Sequence, residues 1–315
     1  MTPADLWYGR GPGARLLAAA LAPLGWLYCG VAMLRATAYR RGWLTSFDAG
    51  APVLVVGNLS VGGTGKTPLV HWLAGHLAGL GLKPGIAARG YGAQAGATGQ
   101  ARVVPVDGDP AIFGDEPVLL AAGGRWPVAV GRDRVAAARA LVTERDCDVV
   151  ITDDGLQHYR LRRRCEILVM DGQRGHGNGR CLPAGPLREP VRRGARADLV
   201  IATGGGRSGM PAMMLSPGNA VSLSAPASRR PLGGFAGERV VAVAGIGNPE
   251  RFFRMLRTHG IDVVARPYPD HHRFSPADIA GWGDGPVLMT DKDAVKVRRL
   301  PMGEGGRVAL WAVPV

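Results

Sequence analysis

Lys66 and Thr67 close the run Ser60-Val61-Gly62-Gly63-Thr64-Gly65-Lys66-Thr67, whose residue types suit a polyphosphate. Small residues let backbone N–H groups point at phosphate oxygens, and a helix that follows adds its positive end. Lys66 would reach the terminal phosphates, and the Thr67 hydroxyl would be offered to Mg²⁺. The run follows the apolar Val53-Leu54-Val55-Val56 and precedes a helix-like stretch from Pro68 to Leu80. That order of strand, glycine-rich turn and helix is the context a phosphate-binding loop requires. Ser60 stands where the general pattern opens with Gly. Val61 stands where some relatives of this loop carry a second lysine that reaches across a dimer, which argues against a dimer-switched ATPase.

Acidic residues supply the complementary chemistry. Asp153-Asp154 closes the apolar run Val149–Thr152, where a carboxylate is placed to hold Mg²⁺ directly or through water. Two adjacent carboxylates are costly unless a cation neutralises them. Gly155-Leu156-Gln157-His158 follows as a tight turn, so Gln157 and His158 are expected to face the same cleft. In Gly114-Asp115-Glu116-Pro117, Asp115 could be a general base for a hydroxyl nucleophile and Glu116 a second metal or substrate contact. On its own that run is a weak signal and usually marks a helix N-terminus with acidic capping.

Residues 171–189 hold five Gly and two Pro in nineteen positions, which argues against regular structure. Long ordered loops in compact domains are usually functional, and this one carries donors suited to sugar hydroxyls and phosphates. In Asp270-His271-His272-Arg273-Phe274, neighbours on an extended strand point to opposite faces, so one His is expected to work alone. Placed near Asp115, it could tune that base.

The elements that must position these groups alternate in type. Candidate strands are Val53–Val56, Gly85–Ala88, Val128–Val130, Val149–Thr152, Ile167–Met170 and Leu199–Ala202, with helical patterns over Leu69–Leu80 and Arg132–Glu144. This βα alternation predicts an α/β fold, a parallel sheet with helices on both faces and ligands at the carboxyl ends of its strands. Residues 204–230, rich in Gly, Ser, Pro and Met, read in part as linker. A smaller α/β series follows: Arg239–Ala244, Pro249–His259, Asp262–Arg266, Pro276–Trp282 and Val287–Thr290. Gly245-Ile246-Gly247 lacks the third glycine of a dinucleotide fingerprint and reads as a structural turn. The expected division is an N-terminal apolar helix over 1–45, a phosphate-loop domain over 46–230 with linker within 203–238, and a smaller lobe over 239–315.

The chain has 315 residues, 46% of them hydrophobic, and a net charge of +13. Of 38 basic residues only Lys66, Lys83, Lys292 and Lys296 are lysines, and two of the four stand together in Thr290-Asp291-Lys292-Asp293-Ala294-Val295-Lys296. The positive balance suits an anionic partner. Aromatics at 6% and the lack of a recognised module speak against nucleic acid. No obligate protein partner is expected. Cys29, Cys147, Cys165 and Cys181 show no Cys-x-x-Cys spacing and read as free thiols in a reducing compartment. From Leu16 to Leu34 nineteen residues carry no charge, flanked by Arg10 and Arg15 on one side and Arg35, Arg40 and Arg41 on the other. Leu17, Leu21, Leu24, Tyr28 and Val31 share a helical stripe, which favours a helix lying in a membrane interface over a core helix or a spanning one.

Together these residues resemble the tetraacyldisaccharide 4'-kinase family of Gram-negative bacteria. The matching segments are Gly57-Asn58-Leu59-Ser60 through Pro68, Arg89-Gly90-Tyr91-Gly92, Gly114–Pro117, Asp153–His158, Leu182–Glu189, Asp270–Phe274 and Thr290–Lys296, in order over nearly the whole chain. Leu156 stands where Phe is common. The resemblance implies ATP-dependent phosphorylation of the 4'-hydroxyl of an acylated glucosamine disaccharide 1-phosphate, in a cleft between two α/β lobes. It also implies peripheral or monotopic attachment to the anionic surface of the inner membrane, on its cytoplasmic face. The expected catalytic set is Lys66, Asp115 and His271, with Thr67 and Asp153 or Asp154 for Mg²⁺. Arg89, Glu116, Gln157, His158, Asn178, Arg188 and Glu189 follow as contacts to substrate or metal. Two other classes stay open: a soluble phosphate-loop ligase or synthetase, and a partner-switched ATPase.

Overall fold

The computed structural model describes residues 2–9, 11–90, 94, 100–205, 209–301 and 309–314. Eight strands form the first sheet: β1 (Val53–Gly57), β2 (Pro84–Ala88), β3 (Arg102–Val103), β4 (Val128–Val130), β5 (Val149–Thr152), β6 (Cys165–Asp171), β7 (Leu199–Thr203) and β8 (Ala212–Met213). Their order is β3-β4-β2-β5-β1-β6-β7-β8. All neighbours are parallel except β3 and β4.

The alternation of side chains along each strand divides two cores. Val56, Ile86, Val130 and Ile151 pack with Leu69, Val70 and Leu73 of helix Lys66–Gly79. Val53, Val55, Ala87 and Val150 pack on the other face with Val135, Ala138 and Leu141 of helix Arg134–Arg145. Because both faces are covered, the central strands read as nearly continuous apolar runs. Val55 pairs with Thr152, so the loop after β1 and the Asp pair after β5 emerge side by side at the carboxyl edge.

The second sheet takes β9 (Ala220–Ser222), β10 (Arg229–Arg230), β11 (Arg239–Ala244), β12 (Asp262–Pro267), β13 (Val287–Thr290) and β14 (Leu310–Val313), in the order β10-β9-β14-β13-β11-β12. Helix Pro249–Thr258 covers one face through Phe252, Phe253 and Leu256, and Phe274, Trp282, Ala294 and Val297 cover the other. The stretch expected as linker therefore contains paired strands. Residues 212–213 join the first sheet, while 220–222 and 229–230 join the second, so residues 220–230 do not pair with the sheet they follow in sequence. Strands of two or three residues are too short to show a period of two.

The N-terminal apolar segment is two helices, Pro12–Ala20 and Ala22–Arg40, bent by 55°. Among the described residues no single helix is long and apolar enough to cross a membrane, though this bent pair passes by length and composition together. Its small residues face inward: Ala14, Ala18, Ala22 and Gly25 are buried. A Cβ on Gly25 would sit 3.0 Å from the Cys181 carbonyl oxygen, so glycine permits the close approach to the 181–184 loop. Leu16, Leu24, Trp26, Leu27, Val31 and Leu34 point outward and are exposed.

Candidate active site

The phosphate loop is shaped by Gly62 and Gly65, with φ of 110° and 83°. It is pinned from two sides: the Thr203 hydroxyl donates to the Thr64 carbonyl at 2.9 Å, and the Val61 N–H donates to the Pro186 carbonyl at 2.8 Å. Lys66, in the first turn of the helix, extends its ammonium to Asn58 Oδ1 at 3.2 Å and Asp154 Oδ1 at 3.4 Å. Thr67 Oγ1 donates to Asp153 Oδ2 at 3.0 Å. Asp153 is buried, and its Oδ1 has no hydrogen-bond partner. Burial, reinforced by the nearby Glu116, holds its carboxyl well above the usual carboxylate range.

Asp154 has the opposite electrostatics. Its burial would raise it, but Lys66 and Arg188 outweigh that and hold it below the usual range. Arg188 Nη1 reaches both Asp154 oxygens, at 3.0 and 2.8 Å. Gly155 makes the turn possible, because a Cβ there would lie 2.0 Å from Thr152 Oγ1. Gln157 donates to the Asn58 carbonyl at 3.1 Å and lies 3.4 Å from Glu189 and from Arg188. Burial, with Arg134 and Arg89 adding positive charge, pushes the His158 imidazole down to about 3, so the ring is neutral.

A second group faces this edge. Asp115 begins helix Asp115–Ala121 after Gly114. His271 Nδ1 lies 3.1 Å from Asp115 Oδ2, and Lys296 Nζ lies 3.6 Å from the same oxygen. The hydrogen bond to Asp115 raises His271. Asp115 would be raised by burial, but His271, Lys296 and Lys292 lower it overall. Lys292 Nζ bridges Glu116 at 3.1 Å and Asp270 at 3.2 Å. The two neighbouring histidines do separate, but through a turn and not along a strand: His271 has φ 61°. His272 turns to the rings of Tyr268 and Phe274 and lies 3.5 Å from Asp278. The Gly245–Gly247 turn abuts the phosphate loop, since a Cβ on Gly247 would lie 3.1 Å from the Gly63 nitrogen.

The remaining expected contacts divide. Glu189 is buried against the Tyr159 hydroxyl, with Arg193 Nε at 3.8 Å. Asn178 spends its amide inside its own loop, donating to the Ala184 carbonyl at 2.8 Å and accepting from the Arg180 N–H at 3.1 Å. Arg89 follows β2 and acts electrostatically on His158 and Arg134, while Tyr91 and Gly92 lie outside the described residues. Sequence reasoning gave no role to Asn58 or Arg134. Asn58 is fully buried and joins the loop, Lys66 and Gln157. Arg134 is buried and donates to the carbonyls of Gly131 at 2.9 Å and Asp153 at 3.3 Å. A polar residue directly after an apolar strand was the available signal for Asn58.

The sheet order and this carboxyl edge define a phosphate-loop α/β protein, with a carboxylate–imidazole pair contributed by two sheets. The chain matches the family model for tetraacyldisaccharide-1-P 4'-kinase over residues 17–315, and it belongs to that family. It is 50% identical to the tetraacyldisaccharide 4'-kinase of Alkalilimnicola ehrlichii, covering 98% of this chain and 90% of that one. It is 49% identical to that of Halorhodospira halophila, covering 100% and 92%. Among solved structures it resembles an "apo" form of LpxK from Aquifex aeolicus in complex with ATP, with a TM-score of 0.74, 29% identity and coverage of 94% and 93%.

Proposed function

We propose that this chain transfers the γ-phosphoryl group of ATP to the 4'-hydroxyl of a tetraacylated glucosamine disaccharide 1-phosphate. Beyond family membership, the observation that carries this reading is the Asp115–His271 pair opposite the Lys66, Thr67 and Asp153 edge. The loop amides and Lys66 hold the phosphates. Asp115 accepts the proton as the sugar oxygen bonds to phosphorus and the bond from phosphorus to the β-phosphate oxygen breaks. Its lowered pKa leaves it unprotonated and able to do so. His271 Nδ1 orients that carboxylate.

The donor set fits Mg²⁺. Asp153 keeps one buried oxygen without a partner, next to the Thr67 hydroxyl. When bound, Mg²⁺ neutralises charge on the β- and γ-phosphate oxygens. Thr67 and Asp153 would hold it, while Asp154 is engaged by Lys66 and Arg188.

The exposed apolar face of the N-terminal helices, with Arg15, Arg35, Arg40 and Arg41 beside it, fits peripheral attachment to an anionic membrane surface. We place it on the cytoplasmic face of the inner membrane, where ATP is available. The test is transfer of radiolabelled γ-phosphate from ATP to the disaccharide 1-phosphate in detergent micelles. Labelled lipid product is expected. A folded protein that binds ATP and labels no lipid overturns the reading.

A further inference from the structure

We propose that Lys296 and Lys292 are positioning residues for the Asp115–His271 pair, so that helix Asp291–Val297 of the second sheet sets the acidic edge of the first. The inference rests on the phosphoryl-transfer reading above. Four lysines occur in the chain: Lys66 stands in the phosphate loop and Lys83 is exposed before β2. The other two lie four residues apart on one short helix, which puts both on the same face.

Lys296 is nearly buried, and a buried ammonium is tolerated only when it is paired. Its Nζ sits 2.8 Å from Asp293 Oδ1 and 3.6 Å from Asp115 Oδ2, with the Phe274 ring centre 5.0 Å away. Asp293 is itself fixed, accepting from the Gly245 N–H at 2.9 Å and the Thr290 hydroxyl at 2.6 Å. Lys296 therefore ties a fixed carboxylate of the second sheet to Asp115 Oδ2. Lys292 acts on the partner ring. It lies 3.5 Å from His271 Nε2, and an ammonium can only donate. In the neutral ring that places the proton on Nδ1, where it meets Asp115 Oδ2. The same ammonium holds Glu116 and Asp270 on either side.

The charged groups facing Asp115 are Glu116 on its own helix, Asp270 and His271 on the turn after β12, and Lys292, Asp293 and Lys296 on the helix after β13. Beyond Glu116 lies Asp153 at the end of β5. Lys296 is the cation on that list whose removal leaves Asp115 with its histidine partner intact, so its effect can be separated from that of the pair.

The test compares Lys296→Met, Lys296→Arg and Lys292→Met with the unmodified full chain. In the micelle assay, Lys296→Met is expected to lower kcat roughly 10- to 100-fold, as for a misplaced reacting group, while KM for ATP stays within about twofold. The acid limb of the pH–rate profile is expected to move up by about one unit, and Lys296→Arg to recover part of both effects. Lys292→Met, which leaves Lys296 in place, gives the same kcat loss by a second route. A purely structural ion pair would lower stability without moving the limb. A carbon-13 NMR titration of the Asp115 carboxyl, assigned with Asp115→Asn, reads the same contact without substrate. If wild type transfers no phosphate, the functional reading fails and the NMR midpoint still decides this one. Unchanged kcat and limb in Lys296→Met, or an unchanged Asp115 midpoint, overturns the proposal.

Discussion

Asp115 Oδ2 and His271 Nδ1 lie 3.1 Å apart, although 156 residues separate them in the chain. One begins the helix that packs on the first sheet, and the other sits in the turn beyond β12 of the second. The pair therefore exists only while the two sheets hold this arrangement. The close approach of Gly247 to the phosphate loop, where an added Cβ would lie 3.1 Å from the Gly63 nitrogen, belongs to the same arrangement.

From that geometry, Asp115→Ala should lose ~10²–10⁴ in turnover, the range for a removed general base. His271→Gln should lose less, because Asp115 keeps Lys296 beside it. Both should bind ATP with near-normal affinity, since the Asp115–His271 hydrogen bond is separate from the contacts of Lys66 and Thr67. Steady-state kinetics with ATP varied at saturating lipid checks this. Near-normal turnover in Asp115→Ala would remove it from the chemistry.

The first sheet was largely legible because its strands are buried on both faces and its motifs sit at strand ends. Val53–Gly57 and Val149–Thr152 are apolar runs followed at once by the phosphate loop and the Asp pair. The structure brings Lys66, Thr67, Asp153 and Asp154 together, as adjacent parallel strands require. What stayed hidden depends on tertiary contact. Asn178 looked like a free amide donor, yet its partners are backbone groups of its own loop. Arg134 looked like one arginine among many, and its burial comes from the carbonyls of Gly131 and Asp153. The short β9 and β10 carry too few residues for a pattern to appear.

His158 and His271 should give stability opposite dependences on pH. His158 is pushed down to about 3 from an ordinary 6.5, so between these values the unfolded chain binds more protons. Its contribution turns unfavourable as pH falls below about 6.5. His271 is raised, so its contribution is full below about 6.5 and fades as pH rises through its folded value. Urea midpoints measured from pH 7.5 to 5 should fall more steeply with acid in wild type than in His158→Gln. Equal slopes would show that His158 is not held neutral.

The two faces of helix Ala22–Arg40 let the proposed membrane attachment be tested apart from folding. Trp26, Leu27 and Val31 are 72%, 67% and 61% exposed, so they contribute little to the core. Burial of an apolar side chain gives about 1.5–3 kcal/mol when complete, so even partial insertion of three side chains reaches about 2 kcal/mol. Trp26→Ser, Leu27→Ser and Val31→Ser combined should then weaken binding to anionic vesicles roughly 30-fold or more, with the unfolding midpoint unchanged. Gly25→Val tests the inner face instead: its side chain would meet the Cys181 carbonyl and the Ala184 methyl, forcing the helix off the 181–184 loop. That variant should lose stability. If vesicle binding survives the triple substitution, another surface of this basic chain makes the attachment.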